Sequence, residues 1–188
     1  MLTKHIFEFH NEIPISINAI KGHIALYEKY VDEANTIVKK LQSGNFEPAE
    51  KQEMMRRFSF EYSGAKNHEY FFETLTGNTS PLNPSSLLYE AIVLTWGSYD
   101  AWKEEFMTLS KTRGVGWAIL WHDAKTNSLF NSWVDEQHIG QLVGADHILG
   151  IDCWEHSFIL DFGITGRAAY VEKIFSALNF GIIEKRFK

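Results

Sequence analysis

Asp152 and His156 stand four residues apart in Asp152-Cys153-Trp154-Glu155-His156. A carboxylate and an imidazole at that spacing can converge on one metal ion if the backbone leaves a strand and enters a turn. The same segment also reads as a buried Asp that caps the following helix, with the His packed beside Trp154. His68 lies in Asn67-His68-Glu69-Tyr70-Phe71-Phe72. An imidazole ringed by aromatics is an ordinary core or surface His, or a neutral ligand oriented by an acceptor on its second nitrogen. His23 precedes Tyr30 by seven residues, nearly two helical turns, so the two share a face. Each residue alone is compatible with plain packing; together they are a candidate ligand set.

The elements that must position them follow from periodicity. From Ser16 to Leu41, Ile17, Ile20, Ile24, Tyr27, Val31, Ala34 and Val38 recur at three- and four-residue steps, an amphipathic helix with Ser16 as its cap. A second helix is expected from Pro48, suited to a first turn, to Leu75. A short loop joins the two into an antiparallel hairpin. Gly77-Asn78-Thr79-Ser80-Pro81-Leu82-Asn83-Pro84 reads as loop and as the boundary between residues 1–80 and 81–188. Helices over Ser85–Trp96 and Tyr99–Lys111 follow. Then the period changes: Trp117–Trp121, Leu129–Val134 and His147–Trp154 predict a small antiparallel sheet, and Tyr170–Leu178 a final helix. The fold class expected is α+β, an N-terminal helical hairpin followed by a C-terminal α/β lobe with three antiparallel strands.

Composition bounds the function. Aromatics make up 14% of 188 residues, enough for a substantial core. The formal charge of -6, without a basic stripe, argues against nucleic-acid binding. A single Cys excludes an internal disulfide or a multi-Cys zinc site and leans towards the cytoplasm. The start, Met1 to His10, carries charge where a signal peptide would be apolar, and no run of about eighteen apolar residues predicts a membrane span.

Several segments together resemble the iron/manganese superoxide dismutase family. They are Asn67-His68 with Tyr70, Phe71 and Phe72; Trp96-Gly97-Ser98-Tyr99-Asp100-Ala101-Trp102; Gly114-Val115-Gly116-Trp117; Gly150-Ile151-Asp152-Cys153-Trp154-Glu155-His156; and Leu178-Asn179-Phe180. The resemblance implies a two-lobed fold with one iron or manganese ion between the lobes. Mixed imidazole and carboxylate ligation suits either metal. It also implies superoxide as substrate, with dismutation to dioxygen and hydrogen peroxide. His68, Asp152 and His156 match three ligands. Tyr30 matches the family's gateway tyrosine, and Gln137 stands where a Gln reaches metal-bound solvent. Gly64, four residues before His68, together with Gln137 leans towards manganese or use of either metal. Trp117, Trp154 and Phe72 would line the pocket. A homodimer is implied, with Glu155 reaching across the interface.

The first ligand departs from the family pattern. Its His stands eight residues before the tyrosine, where this chain has Gly22, and His23 comes one residue later. Either that ligand is lost, or one residue has been deleted between ligand and tyrosine. The second reading makes His23 the fourth ligand and requires a helix free of a π-bulge between His23 and Tyr30. Under the first, His23 swings about 100° off the site. The family's interfacial Tyr–His pair is also replaced, by Phe158 or Ile159 and by Leu26 or Tyr27. A second functional class stays open beside the enzyme: the same fold kept without catalysis as a binding or structural module.

Overall fold

The computed structural model describes residues 1–9 and 13–188. Two long helices come first, α1 (Ile17–Ser43) and α2 (Pro48–Glu73). Ser16 caps α1 by accepting the Ala19 N–H, and Pro48 occupies the first turn of α2. The two helices pack against each other. The segment before α1 lies along this pair: Leu2 exchanges two hydrogen bonds with the Asn35 amide, and Phe7 sets its ring against Tyr27 and Phe72.

Next come α3 (Leu87–Trp96) and α4 (Tyr99–Ser110), separated by Gly97 in the left-handed region, where glycine is favoured. The sheet follows: β1 (Gly116–Asp123), β2 (Ser128–Asp135) and β3 (Asp146–Asp152), antiparallel, in the order β2-β1-β3. Central β1 is buried along nearly its whole length, so it reads as one apolar run rather than an alternating one. The α+β class with a three-stranded antiparallel sheet is the architecture expected from the sequence.

Most element ends differ from the expected ones by a few residues, and the differences that bear on the site lie after β3. The third strand ends at Asp152, not Trp154, because the Asp152 carboxylate accepts the Trp154 N–H at 2.9 Å and turns the chain out of the sheet. That turn opens α5 (Glu155–Phe162), a helix that the strand-like run had hidden. After α6 (Arg167–Ser176) a further short helix, α7 (Phe180–Glu184), ends the fold. The core joins sheet residues such as Trp117, Ile119, Leu149 and Ile151 to Trp102, Phe106, Tyr170 and Ile174 of the helices. Among the described residues, no helix is long and apolar enough to cross a membrane.

Candidate metal centre

Four elements each bring one donor to a single point: α1 His23, α2 His68, β3 Asp152 and α5 His156. Their ligand atoms all lie within 4.8 Å of one another. Strand pairing places Asp152, since it stands opposite Trp117 of β1 at the end of the ladder. The turn that its Oδ1 closes puts His156 in the first turn of α5. Its Oδ2 lies 3.0 Å from His23 Nε2, 3.0 Å from His156 Nε2 and 3.5 Å from His68 Nε2. Asp152 does not cap α5, whose N-cap is Trp154 and which has no side-chain cap bond: the Asp152 Oδ1 closes the turn before the helix, and its Oδ2 joins the cluster.

The region of α1 between His23 and Tyr30 is regular α-helix, and the His23 ring faces the cluster, 4.9 Å from the His68 ring. Among the described residues, no atom of another element lies near the position that a Cβ at Gly22, one residue earlier, would take.

His68 tests whether a cation fits. Its Nδ1 lies 2.6 Å from the Gly64 carbonyl oxygen, which can only accept, so Nδ1 carries the proton. Nε2 then presents a lone pair to the cluster. It is buried, has no hydrogen-bond partner among the described residues, and faces a carboxylate oxygen. Two lone pairs facing each other in a dry site call for a Lewis acid between them. Burial reinforces this by keeping the imidazole neutral: the His68 pKa is pushed down to about 3, mainly by desolvation and then by His23. Desolvation also lowers His23. For Asp152, burial works against ionisation, but His156 and His23 outweigh it and hold the carboxyl well below its usual range. A neutral His68 facing an ionised Asp152 is the protonation pattern that metal ligation needs.

Around the donors stand the expected aromatics. Phe72 lies 4.9 Å from His23, Trp117 5.1 Å from His68, and Trp154 5.7 Å from His156. Tyr30 sits beside His68 at 5.3 Å. Its phenol oxygen accepts from Gln137 Nε2 at 3.2 Å, while Trp117 Nε1 donates to Gln137 Oε1 at 2.9 Å. The indole can only donate, so it settles which way the amide points. Burial pushes the Tyr30 phenol well above its ordinary pKa, with the Asp152 charge adding to the effect.

Two contributors escaped sequence reasoning. Asn67 Nδ2 and Gln141 Nε2 both donate to the Gln137 carbonyl, at 3.0 and 3.3 Å, and anchor the loop that carries it. Asn67 was visible only as the neighbour of His68; nothing marked Gln141.

Comparison with known proteins bears on the same region. The family described as iron/manganese superoxide dismutases, C-terminal domain, matches residues 84–186, more than half of the chain. The chain belongs to the iron/manganese superoxide dismutases. Among curated relatives, the superoxide dismutase [Fe] of Methanothermobacter thermautotrophicus is 27% identical over 100% of this chain and 97% of its own length. Superoxide dismutase [Mn] 2 of Haloferax volcanii is 29% identical over 89% of each chain. Superoxide dismutase [Mn/Fe] of Aeropyrum pernix is 29% identical over 94% of this chain and 88% of its own. These similarities span both the helical hairpin and the sheet-containing part.

Proposed function

We propose that this chain is a superoxide dismutase that holds one iron or manganese ion through His23, His68, Asp152 and His156. The observation that carries this reading is the convergence of four donor atoms within 4.8 Å, with the His68 Nε2 lone pair otherwise unpartnered among the described residues. Bound iron or manganese supplies a one-electron couple, which lets one superoxide be oxidised to dioxygen and a second, with two protons, be reduced to hydrogen peroxide.

The chain's own residues hold the centre and handle protons. Asp152 supplies the negative charge among the imidazoles. The Gly64 carbonyl fixes the His68 tautomer. Phe72, Trp117 and Trp154 wall the donors and limit water. Trp117 orients Gln137 so that its amide N–H points at the Tyr30 oxygen, which leaves the phenol proton uncommitted to that bond. With its pKa raised, Tyr30 stays protonated at neutral pH and can donate. Gly64 with Gln137 leans towards manganese or use of either metal.

A homodimer is part of this reading. Glu155 is half exposed on α5, 3.7 Å from Arg167, and His156 keeps an exposed edge. Ile159, Leu160 and Ile164 leave apolar surface nearby, suited to a second copy. Glu155 would reach the partner's His156 across that surface. The division at residue 80 and a cytoplasmic setting, supported by the lone buried Cys153, belong to the same proposal.

Expression with both metals supplied, followed by elemental analysis and a superoxide dismutation assay, tests the function. About one metal per chain with activity is expected. Absence of both iron and manganese from the folded protein would sink it.

A further inference from the structure

His68 and Asp152 come from elements far apart in sequence, α2 and β3, and two local irregularities lie close to them. The first is at the end of α2. Its last turn tightens, so that the Thr74 N–H bonds to the Phe71 carbonyl at 3.1 Å and passes over the Tyr70 carbonyl. The second is in β3. Leu149 pairs with Leu120 and His147 with Trp121, so Ile148 is the extra residue of a bulge.

One side chain serves both. Arg186, in the tail after α7, donates from Nη2 to the Tyr70 carbonyl at 2.8 Å and from Nη1 to the Ile148 carbonyl at 3.1 Å. Its Nη2 also meets Glu73 Oε2 at 2.8 Å, and the guanidinium carbon lies 4.7 Å from the centre of the Tyr70 ring. The side chain is largely buried. Tyr70 is stacked on its other partner, His147, at 4.5 Å.

We propose that Arg186 is a positioning residue for the metal centre: by joining the Tyr70 and Ile148 carbonyls it sets α2 against β3 and thereby sets His68 against Asp152. His68 is two residues before one carbonyl, and Asp152 four residues after the other. The planar, forked guanidinium is the group able to hold two carbonyls on different elements at once. The inference rests on the proposed metal function.

The test compares full-length wild type with Arg186→Met, which keeps the apolar stem and removes the donors. Both are loaded with manganese. Metal retention against a chelator and the visible absorption of the oxidised manganese form are measured, together with circular dichroism and thermal unfolding. Arg186→Met is expected to fold, to hold manganese roughly tenfold more weakly, and to show a displaced absorption band. If only the unfolding temperature falls, with retention and band unchanged, Arg186 is a stability residue and the inference is overturned. Glu73→Gln keeps the guanidinium and should leave the band in place; a shift as large as that of Arg186→Met would overturn the role of the carbonyls. If Arg186→Met does not fold, Arg186→Lys gives the same comparison, because its single ammonium cannot reproduce the fork. A wild type that takes no metal would instead defeat the proposed function, and this inference with it.

Discussion

Gly64 of α2 lies against the ring of Tyr30 of α1, so closely that a Cβ at Gly64 would sit 2.7 Å from Tyr30 Cδ1. No real side chain tolerates that contact, and the near atoms belong to the body of the ring rather than to a flexible end. Gly64 therefore lets α1 and α2 approach where the phenol must reach Gln137. Gly64→Ala should displace the phenol from the Gln137 amide. Helix propensity favours Ala by about 1 kcal/mol, while overpacking costs about 1–3 kcal/mol, so the net loss of stability should be small. Dismutation should fall on the order of tenfold through misplacement of the proton donor. Metal content should be unchanged. Parallel assays of activity and metal stoichiometry check this, and full activity would remove Tyr30 from the proton-handling role.

His23 decides between the two readings of α1. Its ring lies within the cluster, 3.0 Å from Asp152 Oδ2. His23→Ala should leave the helix intact and weaken metal retention by more than about tenfold, since losing a group that merely orients a ligand already costs that much. Metal analysis after dialysis against a chelator measures it. Unchanged metal and activity would exclude His23 from the site.

Glu155 should matter beyond its own chain. Its only ion pair among the described residues is the 3.7 Å contact with Arg167, weak for a half-exposed group. Glu155→Ala should therefore cost little monomer stability. It should shift the sedimentation profile from dimer towards monomer and loosen the metal. Wild-type protein that sediments as a monomer at micromolar concentration with full activity would contradict the dimer.

His147 predicts an acid-side dependence of stability. Among the described residues, its buried ring meets no hydrogen-bond partner from another residue on either nitrogen. Desolvation, with Arg186 adding, pushes its pKa down to about 3, against an ordinary value of 6.5. Between those values the unfolded chain takes up a proton that the folded chain refuses. The stability this neutral His permits is thus fully present above about pH 6.5 and is lost as pH falls towards 3, at up to about 1.4 kcal/mol per pH unit. His147→Phe should stay stacked on Tyr70 and flatten the slope by that share. Urea unfolding at pH 7, 6 and 5 on both proteins gives the comparison. Equal slopes would mean that His147 does not titrate on unfolding in this range.

The helices were legible from local features, because periodicity, the Ser16 cap and Pro48 act within one or two turns. The strands of the sheet were legible for the same reason: short apolar runs bounded by Gly114-Val115-Gly116 and by the polar turn Asp123-Ala124-Lys125-Thr126-Asn127. Helix α5 was not. The apolar run of β3 was read through to Trp154, up to the first residue of α5, and the Asp152 carboxylate, by taking the Trp154 N–H, ends the strand before the helix begins. The ligand-type residues His68, Asp152 and His156 could be picked out by type and spacing, together with their resemblance to a known family.

Which of Gly22 and His23 faces the centre lay beyond local reading. Neighbouring helical positions point about 100° apart, and both choices leave the same amphipathic pattern. The packing of α1 on α2 and α5 decided it by turning His23 towards Asp152. Gln137 and Arg186 show the same limit. Gln137 sits in a loop whose course is set by Asn67, Gln141 and Trp117. Arg186 finds its acceptors 116 and 38 residues away. Such contacts exist only once distant segments are packed, because a hydrogen bond depends on the position of both partners and a sequence states only their order.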